Sequence, residues 1–248
     1  VLFDRNRITE DDYREAEVIF GWTAQVRDAL EKGDAKVRWI QSISSGVDYF
    51  PLDLLKRRGV TLTDASGVHV VSVAETAMAM MLGFARGIAA SIRNQSRKFW
   101  DRTLPVSELF GATLAIVGAG QIGRRLAQLA KAFGMRVIAV SRSGRALQEA
   151  DETYAADRMD DAIRQADFVV NILPLTKETH HLFDEKRFAL MKKNACFINV
   201  GRGATVHTDH LVEALKAGRI AGAGLDVFEE EPLPPDHPLW TLDNVILT

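Results

Sequence analysis

The chain of 248 residues carries 31 Lys and Arg against 33 Asp and Glu, a net charge of −2, and 47% of it is hydrophobic. That balance excludes a general attraction to nucleic acid or to an anionic membrane surface, while the apolar share suffices to bury a core in one large domain or two modest ones. The longest apolar run, residues 76–85, falls well short of the roughly 20 residues that cross a bilayer, and no amino-terminal stretch joins basic residues to a secretory apolar core. The expectation is a soluble protein with no nucleic-acid or membrane partner, and the lone Cys196, which leaves no partner for a disulfide, fits a reduced, cytoplasmic setting.

In chain order, Val1-Leu2-Phe3 is apolar, strand-like and lacks a starting Met, and Val245-Ile246-Leu247-Thr248 closes the chain inside another apolar run. Termini are normally surface segments, so flanks beyond both ends are expected. Short strands are predicted at 16–21, 37–43 and 59–63, with helical patterns at 24–31 and 51–58 between them, which makes a small parallel-sheet domain over residues 1–71. Ser72-Val73-Ala74-Glu75 has capping-box spacing and precedes residues that are apolar on every face through Phe84, predicting a buried helix that joins two domains. A second βα series follows over 72–248: strand 113–117, helix 122–133 stopped by Gly134, and strand 136–140. Strands at 168–173, 196–200 and 221–227 come after it, with a helix at 209–217 and Gly218 as its C′ residue. Near-continuous apolar strands alternating with helices imply a parallel sheet covered on both faces, a doubly wound α/β fold of Rossmann type.

Gly118-Ala119-Gly120-Gln121-Ile122-Gly123 lies between a good strand and a good helix, the context in which G-x-G-x-x-G binds a dinucleotide. Gly118 serves the tight turn, Gly120 the close approach of backbone to pyrophosphate, and Gly123 the packing of helix on strand. FAD and S-adenosylmethionine sites share this architecture, so the turn alone does not name nicotinamide. The residue that reads the adenosine ribose sits about 20 residues beyond the glycines and is acidic when the 2′-hydroxyl is bound. Here that place reads Ser141-Arg142-Ser143-Gly144-Arg145, with no carboxylate from Gly123 to Gln148. Hydroxyls and guanidinium groups suit a 2′-phosphate, so NADP is preferred, with NAD as the alternative.

Together with Ser44-Ser45-Gly46-Val47-Asp48, Val73-Ala74-Glu75, Leu173-Pro174-Leu175-Thr176, Asn199-Val200-Gly201-Arg202-Gly203 and Leu225-Asp226-Val227-Phe228-Glu229-Glu230-Glu231-Pro232, the glycine turn resembles the D-isomer-specific 2-hydroxyacid dehydrogenase family. The resemblance implies a flavodoxin-like α/β substrate domain built from both chain ends, a central cofactor domain, and an active site in the cleft between them. It also implies that Arg202 grips the substrate carboxylate and keto oxygen. Glu231 would be the acidic partner of a proton-donating His, with Glu229 and Glu230 competing by residue type. Asp226 would bond the nicotinamide carboxamide, and Leu173, Pro174, Val200 and Gly201 would line the cofactor. The His of that pair follows a strand ending like Val245-Ile246-Leu247-Thr248 in the family and is expected just beyond Thr248; none of the six histidines printed occupies its place. His180, His181, His207 and His210 read as solvated surface, His237 as part of a Pro-rich loop, and His69 as structural.

Ser45 and Gly46 present backbone N–H groups to a substrate carboxylate, or form a plain βα turn. Trp100 reaches a partner subunit, since the resemblance implies a homodimer, or stands alone on the surface. The expected reaction is hydride transfer between NADPH and a small 2-keto acid of the glyoxylate or hydroxypyruvate class. The alternatives are an NAD-linked enzyme of lactate or phosphoglycerate type and a dinucleotide-sensing, corepressor-like binding protein. No metal is expected.

Overall fold

The computed structural model describes residues 8–248, so the strand expected at Val1-Leu2-Phe3 lies outside the described residues. The chain divides into two compact units, the first ending at His69 and the second spanning Val70–Thr248.

The first unit contains α1 (Glu10–Glu15), β1 (Val18–Phe20), α2 (Ala24–Lys32), β2 (Trp39–Gln41), α3 (Leu52–Arg58) and β3 (Thr61–Thr63). Helix α1, absent from the predicted elements, starts at a true capping box: Thr9 Oγ1 accepts the Asp12 N–H while Asp12 returns a carboxylate to the Thr9 N–H. The three strands pair in parallel in the order β1-β2-β3, each for three residues only. They are shorter than the sequence suggested because pairing continues only where both neighbours stay in register. Ile40, Leu30, Val26 and Leu55 fill the core of this unit, whereas Val18, Phe20 and Trp39 remain exposed.

The second unit runs α4 (Val70–Ala85), α5 (Ile88–Ser96), β4 (Thr113–Val117), α6 (Gln121–Ala132), β5 (Arg136–Ser141), β6 (Glu152–Ala155), α7 (Met159–Gln165), β7 (Phe168–Asn171), α8 (Glu185–Leu190), β8 (Cys196–Asn199), α9 (Thr208–Lys216), β9 (Gly222–Leu225) and β10 (Val245–Leu247). Its seven strands are all parallel, in the order β10-β9-β8-β7-β4-β5-β6. The chain leaves β4 in one direction for β5 and β6, then returns to pair β7 on the other flank. The crevice at the carboxyl ends of β4 and β7 is therefore the topological switch point, where open α/β sheets bind ligands. Strands β4, β7, β8 and β9 are buried throughout, as expected when helices cover both faces. On one face Phe183, Phe188 and Phe197 interlock, with ring centroids 4.8 Å (183–197) and 5.3 Å (188–197) apart, a contact type worth about 0.5–1.5 kcal/mol per pair beyond the area it buries. On the other face α4 lies so close to β9 that a Cβ at Gly224 would meet Met80 Sδ at 2.7 Å.

Helices α6 and α9 end as predicted. Gly134 and Gly218 have φ of +73° and +60°, and the residues after them, Met135 and Arg219, donate back to Ala130 O and Ala214 O at 3.0 and 2.9 Å, the Schellman arrangement. The predicted capping box at Ser72 is corrected: α4 begins at Val70, so Ser72 lies inside the helix and its carbonyl accepts the Thr76 hydroxyl. An S-x-x-E spacing cannot show that the two valines before it already have helical backbone. Nor is α4 buried on every face, since Val71, Ser72 and Glu75 are exposed.

Candidate active site

The glycine turn connects β4 to α6. Gly118 has φ +107°, and a Cβ there would meet the Ile172 backbone at 2.9 Å, so the position excludes other residues twice over. The Gly118 and Ala119 N–H groups both donate to Val140 O at 3.0 Å, which ties the turn to the end of β5. A Cβ at Gly123 would sit 2.7 Å from Gly118 O, so this glycine lets the helix close onto the turn. At Gly120 a Cβ would meet nothing within 4 Å. The three glycines thus divide as turn, open approach and packing, and the open one faces the space in front of Gln121 and Ile122, the first residues of α6.

Beside the turn lies a cavity of about 410 Å³ whose walls include Ala119, Arg124, Ser141, Ser143, Arg145 and Glu149. Ser141 Oγ is buried and has no hydrogen-bond partner among the described residues. A buried hydroxyl left so costs about 1–3 kcal/mol unless a ligand meets it. With Gly120 open and guanidinium groups on the cavity wall, the residues present fit a phosphorylated adenosine. Arg142 is exposed in the same loop. Across from it Glu178, in the loop after β7, has its carboxyl held below the ordinary range by the Thr176 hydroxyl first, with Arg142 among the lesser causes.

Past the ends of β7, β8 and β9 three loops meet. Asn171, fully buried, donates from Nδ2 to Asn199 Oδ1 at 2.9 Å and to Thr205 Oγ1 at 2.7 Å, while its own Oδ1 accepts the Leu173 N–H at 3.2 Å. Asn199 Oδ1 also accepts the Gly201 N–H at 3.1 Å, and its Nδ2 donates to Arg202 O at 3.1 Å. Thr205 Oγ1 donates to the same Arg202 carbonyl at 2.6 Å. The backbone of Arg202 is therefore held from two sides by a buried polar network. Its side chain is partly buried, with Nη1 donating to Gly201 O at 2.9 Å. The flanking glycines pack backbone on backbone: a Cβ at Gly201 would press on Leu173 O at 2.7 Å, and one at Gly203 would fall inside the Phe228 carbonyl. These contacts bring Leu173, Gly201, Arg202 and the loop after Asp226 together, with Val200 buried and Pro174 exposed.

In that loop Glu231 Oε1 accepts the Phe228 N–H at 2.9 Å. Glu229 is engaged elsewhere, with His181 Nε2 and with the Thr208 N–H at 3.2 Å. Burial pushes its carboxyl up, but the Thr208 and His181 hydrogen bonds outweigh this and leave it below the ordinary value. Asp226 Oδ1 accepts the Thr248 hydroxyl at 2.7 Å. In the first unit, Ser45 is exposed, and the turn holding Gly46 is braced by Ser44, whose hydroxyl donates to Gly46 O at 2.8 Å.

Of the four histidines read as solvated surface, His180 is exposed as expected, whereas His181, His207 and His210 are half-buried. His180 stacks on His181 (centroids 3.9 Å apart), which in turn meets His207 at 4.7 Å, and His207 stacks on His210 at 3.7 Å. Two elements separated by more than twenty residues supply this ladder, so no local pattern announces it. Trp100 is 84% exposed. Sequence reasoning also missed Asn171 and Thr205; for Asn171 the signal available was a single polar residue ending an otherwise apolar strand, whereas Thr205, in a turn after Arg202, carried none.

The chain has relatives among known proteins. Residues 78–248 match the family described as D-isomer specific 2-hydroxyacid dehydrogenase, NAD binding domain. The chain is 40% identical over 240 residues to glyoxylate/hydroxypyruvate reductase B of Escherichia fergusonii, covering 94% of this chain and 74% of that one. It is 39% identical over 233 residues to D-3-phosphoglycerate dehydrogenase of Methanocaldococcus jannaschii, covering 93% of this chain but only 44% of the relative. Among solved structures, the NADPH-dependent glyoxylate/hydroxypyruvate reductase of Sinorhizobium meliloti in complex with NADP and sulfate superposes with a TM-score of 0.81 at 31% identity, over 94% of this chain and 74% of that chain. With a family match over most of its length and relatives at such identity, the chain belongs to the D-isomer specific 2-hydroxyacid dehydrogenase family.

Proposed function

We propose that this chain is the greater part of an NADP-preferring dehydrogenase that interconverts a small 2-keto acid, of the glyoxylate or hydroxypyruvate class, and its D-2-hydroxy acid. The observation that carries the reading is the anchoring of Arg202: its carbonyl is held by Asn199 and Thr205, so its guanidinium is presented from a rigid base at the carboxyl edge of the sheet. A guanidinium stays charged at any working pH and binds a 2-keto acid through two parallel hydrogen bonds, orienting the carbonyl and stabilising charge that develops on its oxygen.

NADPH, when bound along Gly118, Gly120, Gln121, Ile122 and Gly123 with Ser141, Arg142 and Ser143 at its ribose, supplies the hydride. Leu173, Pro174, Val200 and Gly201 form the wall against its other half, and Asp226 orients the carboxamide. Glu231 is the carboxylate we assign to a proton-donating His expected just beyond Thr248; it would keep the imidazolium charged until the carbonyl oxygen takes the proton. Its competitor Glu229 is already committed to His181 and Thr208. The substrate class and NADP are supported by what the Escherichia and Sinorhizobium relatives are named for; a homodimer and a cytoplasmic setting belong to the same proposal.

The test is Arg202→Ala in the full-length protein. We expect kcat/KM for glyoxylate and hydroxypyruvate to fall at least ~100-fold, the scale of losing one oriented charge on the transition state. NADPH affinity should stay within about 2-fold, because Arg202 acts on substrate alone. Near-wild-type turnover would place the chemistry elsewhere.

A further inference from the structure

The cavity beside Ser141 contains a carboxylate that the motif region itself lacks. Glu149 lies just past the stretch free of acidic residues, and the fold returns it to the cavity wall, where its side chain is only 20% exposed. Its Oε1 accepts Gln128 Nε2 at 3.3 Å, whereas its Oε2 accepts no hydrogen bond among the described residues and lies 3.8 Å from Arg124 Nε, within ion-pair range. Arg124, 63% exposed, lines both this cavity and the groove along the start of α6. The same wall therefore holds a hydroxyl without an acceptor, Ser141 Oγ, and a carboxylate oxygen without a donor. These are groups that a bound phosphate would rearrange in opposite senses.

A phosphate entering here is attracted by Arg124 and Arg145, hydrogen-bonded by Ser141 and Ser143, and repelled by Glu149. It also competes with Glu149 for Arg124, because one guanidinium cannot face two anions at full strength. We propose that Glu149 is a specificity-determining residue of the cofactor site. It acts as an internal competitor for Arg124 and limits how strongly the 2′-phosphate is preferred, while Arg124 is a phosphate ligand outside the loop that follows β5. The inference rests on the NADP reading above.

The experiment titrates full-length wild type, Glu149→Gln and Arg124→Ala with adenosine 2′,5′-bisphosphate and with 5′-AMP. These probes report the adenosine end by calorimetry without nicotinamide or turnover. Glu149→Gln keeps the amide-sized side chain and its contact to Gln128, so it removes charge alone. We expect it to tighten the bisphosphate by about 3- to 10-fold, the size of a screened charge interaction at a partly exposed site, with 5′-AMP unchanged within about 2-fold. Arg124→Ala should weaken the bisphosphate by a similar factor, and Glu149→Asp should return the wild-type ratio. A bisphosphate-to-AMP ratio that does not move in Glu149→Gln overturns the inference and leaves Glu149 as a brace for α6. Equal binding of both probes to wild type overturns the NADP reading instead, with the ratio in Glu149→Gln still judging the carboxylate; binding of neither overturns both.

Discussion

At the edge where the strands of the large sheet begin, three carboxylates have each found a cation, and two of them a backbone donor as well. Asp167 accepts the Thr113 N–H at 2.9 Å and Lys192 Nζ at 2.8 Å; Asp151 accepts the Val137 N–H at 2.8 Å and Lys131 Nζ at 2.7 Å; Glu152 takes the Tyr154 hydroxyl and Arg136. In the cavity beside the end of β5, Ser141 Oγ and Glu149 Oε2 are buried without hydrogen-bond partners among the described residues. The paired carboxylates of one edge thus contrast with a cavity beside the glycine turn that keeps two buried polar atoms unmatched. In a parallel sheet all carboxyl ends lie together, so turns, glycines and convergent N–H groups accumulate on that side, and a ligand meets there what the protein leaves unmatched.

The comparison is most severely tested where the ligand edge is itself tightly closed. Gly203→Ala puts a Cβ inside the backbone of Phe228, where no flexible side chain can give way. The loop after β9 must move, and we expect a loss of about 4 kcal/mol or more, the exceptional end for a point mutant. Urea denaturation measures it, and a variant within 1 kcal/mol of wild type would show that this edge is looser than its contacts suggest. Next in size is Asn171→Ala. It leaves Asn199 and Thr205 buried without their shared donor, which costs about 1–3 kcal/mol. Because Arg202 hangs from that network, kcat/KM should fall while NADPH affinity holds. Stability lost with turnover intact would separate the network from Arg202.

A smaller effect concerns the adenosine end alone. Ser141→Asp with Arg142→Ala should reverse a preference for NADPH over NADH of at least ~10-fold, since a charge-assisted contact is worth roughly 1.5–3 kcal/mol. Fluorescence titration of both cofactors decides it, and equal affinities in wild type would leave Arg142 a solvated loop charge.

Legibility in the sequence followed the same division. The glycine turn, the strands around it and the helix stops at Gly134 and Gly218 were readable because each is a local demand on backbone geometry. Strand β6 was not: its four residues, Glu152-Thr153-Tyr154-Ala155, are all half-buried, as befits the last strand of a sheet, and they lack the apolar run that marked the others. The bond from Asn171 to Thr205, which in turn holds Arg202, spans 34 residues, and the return of Glu149 to the cavity depends on β5, β6 and the loop between them, so neither leaves a pattern within one window. A carboxylate absent from the motif by spacing, Glu149, was present in the cavity by folding, which is the limit of reading cofactor choice from the residues after one strand.

The smallest expected effect lies at the matched edge. Lys131 and the Val137 N–H hold the Asp151 carboxyl below its ordinary value, the lysine hydrogen bond being the larger cause. A carboxylate whose folded pKa is depressed contributes stability above its unfolded pKa, and that contribution disappears as pH falls through the folded value. Asp151→Asn should therefore cost up to about 1 kcal/mol at neutral pH, the range for an ion pair with both partners substantially exposed to solvent. The difference should persist to about pH 5 and fade below about pH 4 as the wild-type carboxyl takes up its proton. Urea midpoints across that range measure it. Cofactor titrations of the same variant should be unchanged, because Asp151 lies at the opposite end of the strands from Gly120 and Ser141. A charge removed from the matched edge that altered NADPH affinity would erase the distinction between the two edges, whereas one that altered stability alone, and only above the carboxylate range, would set it beside Glu149, whose charge is expected to move affinity.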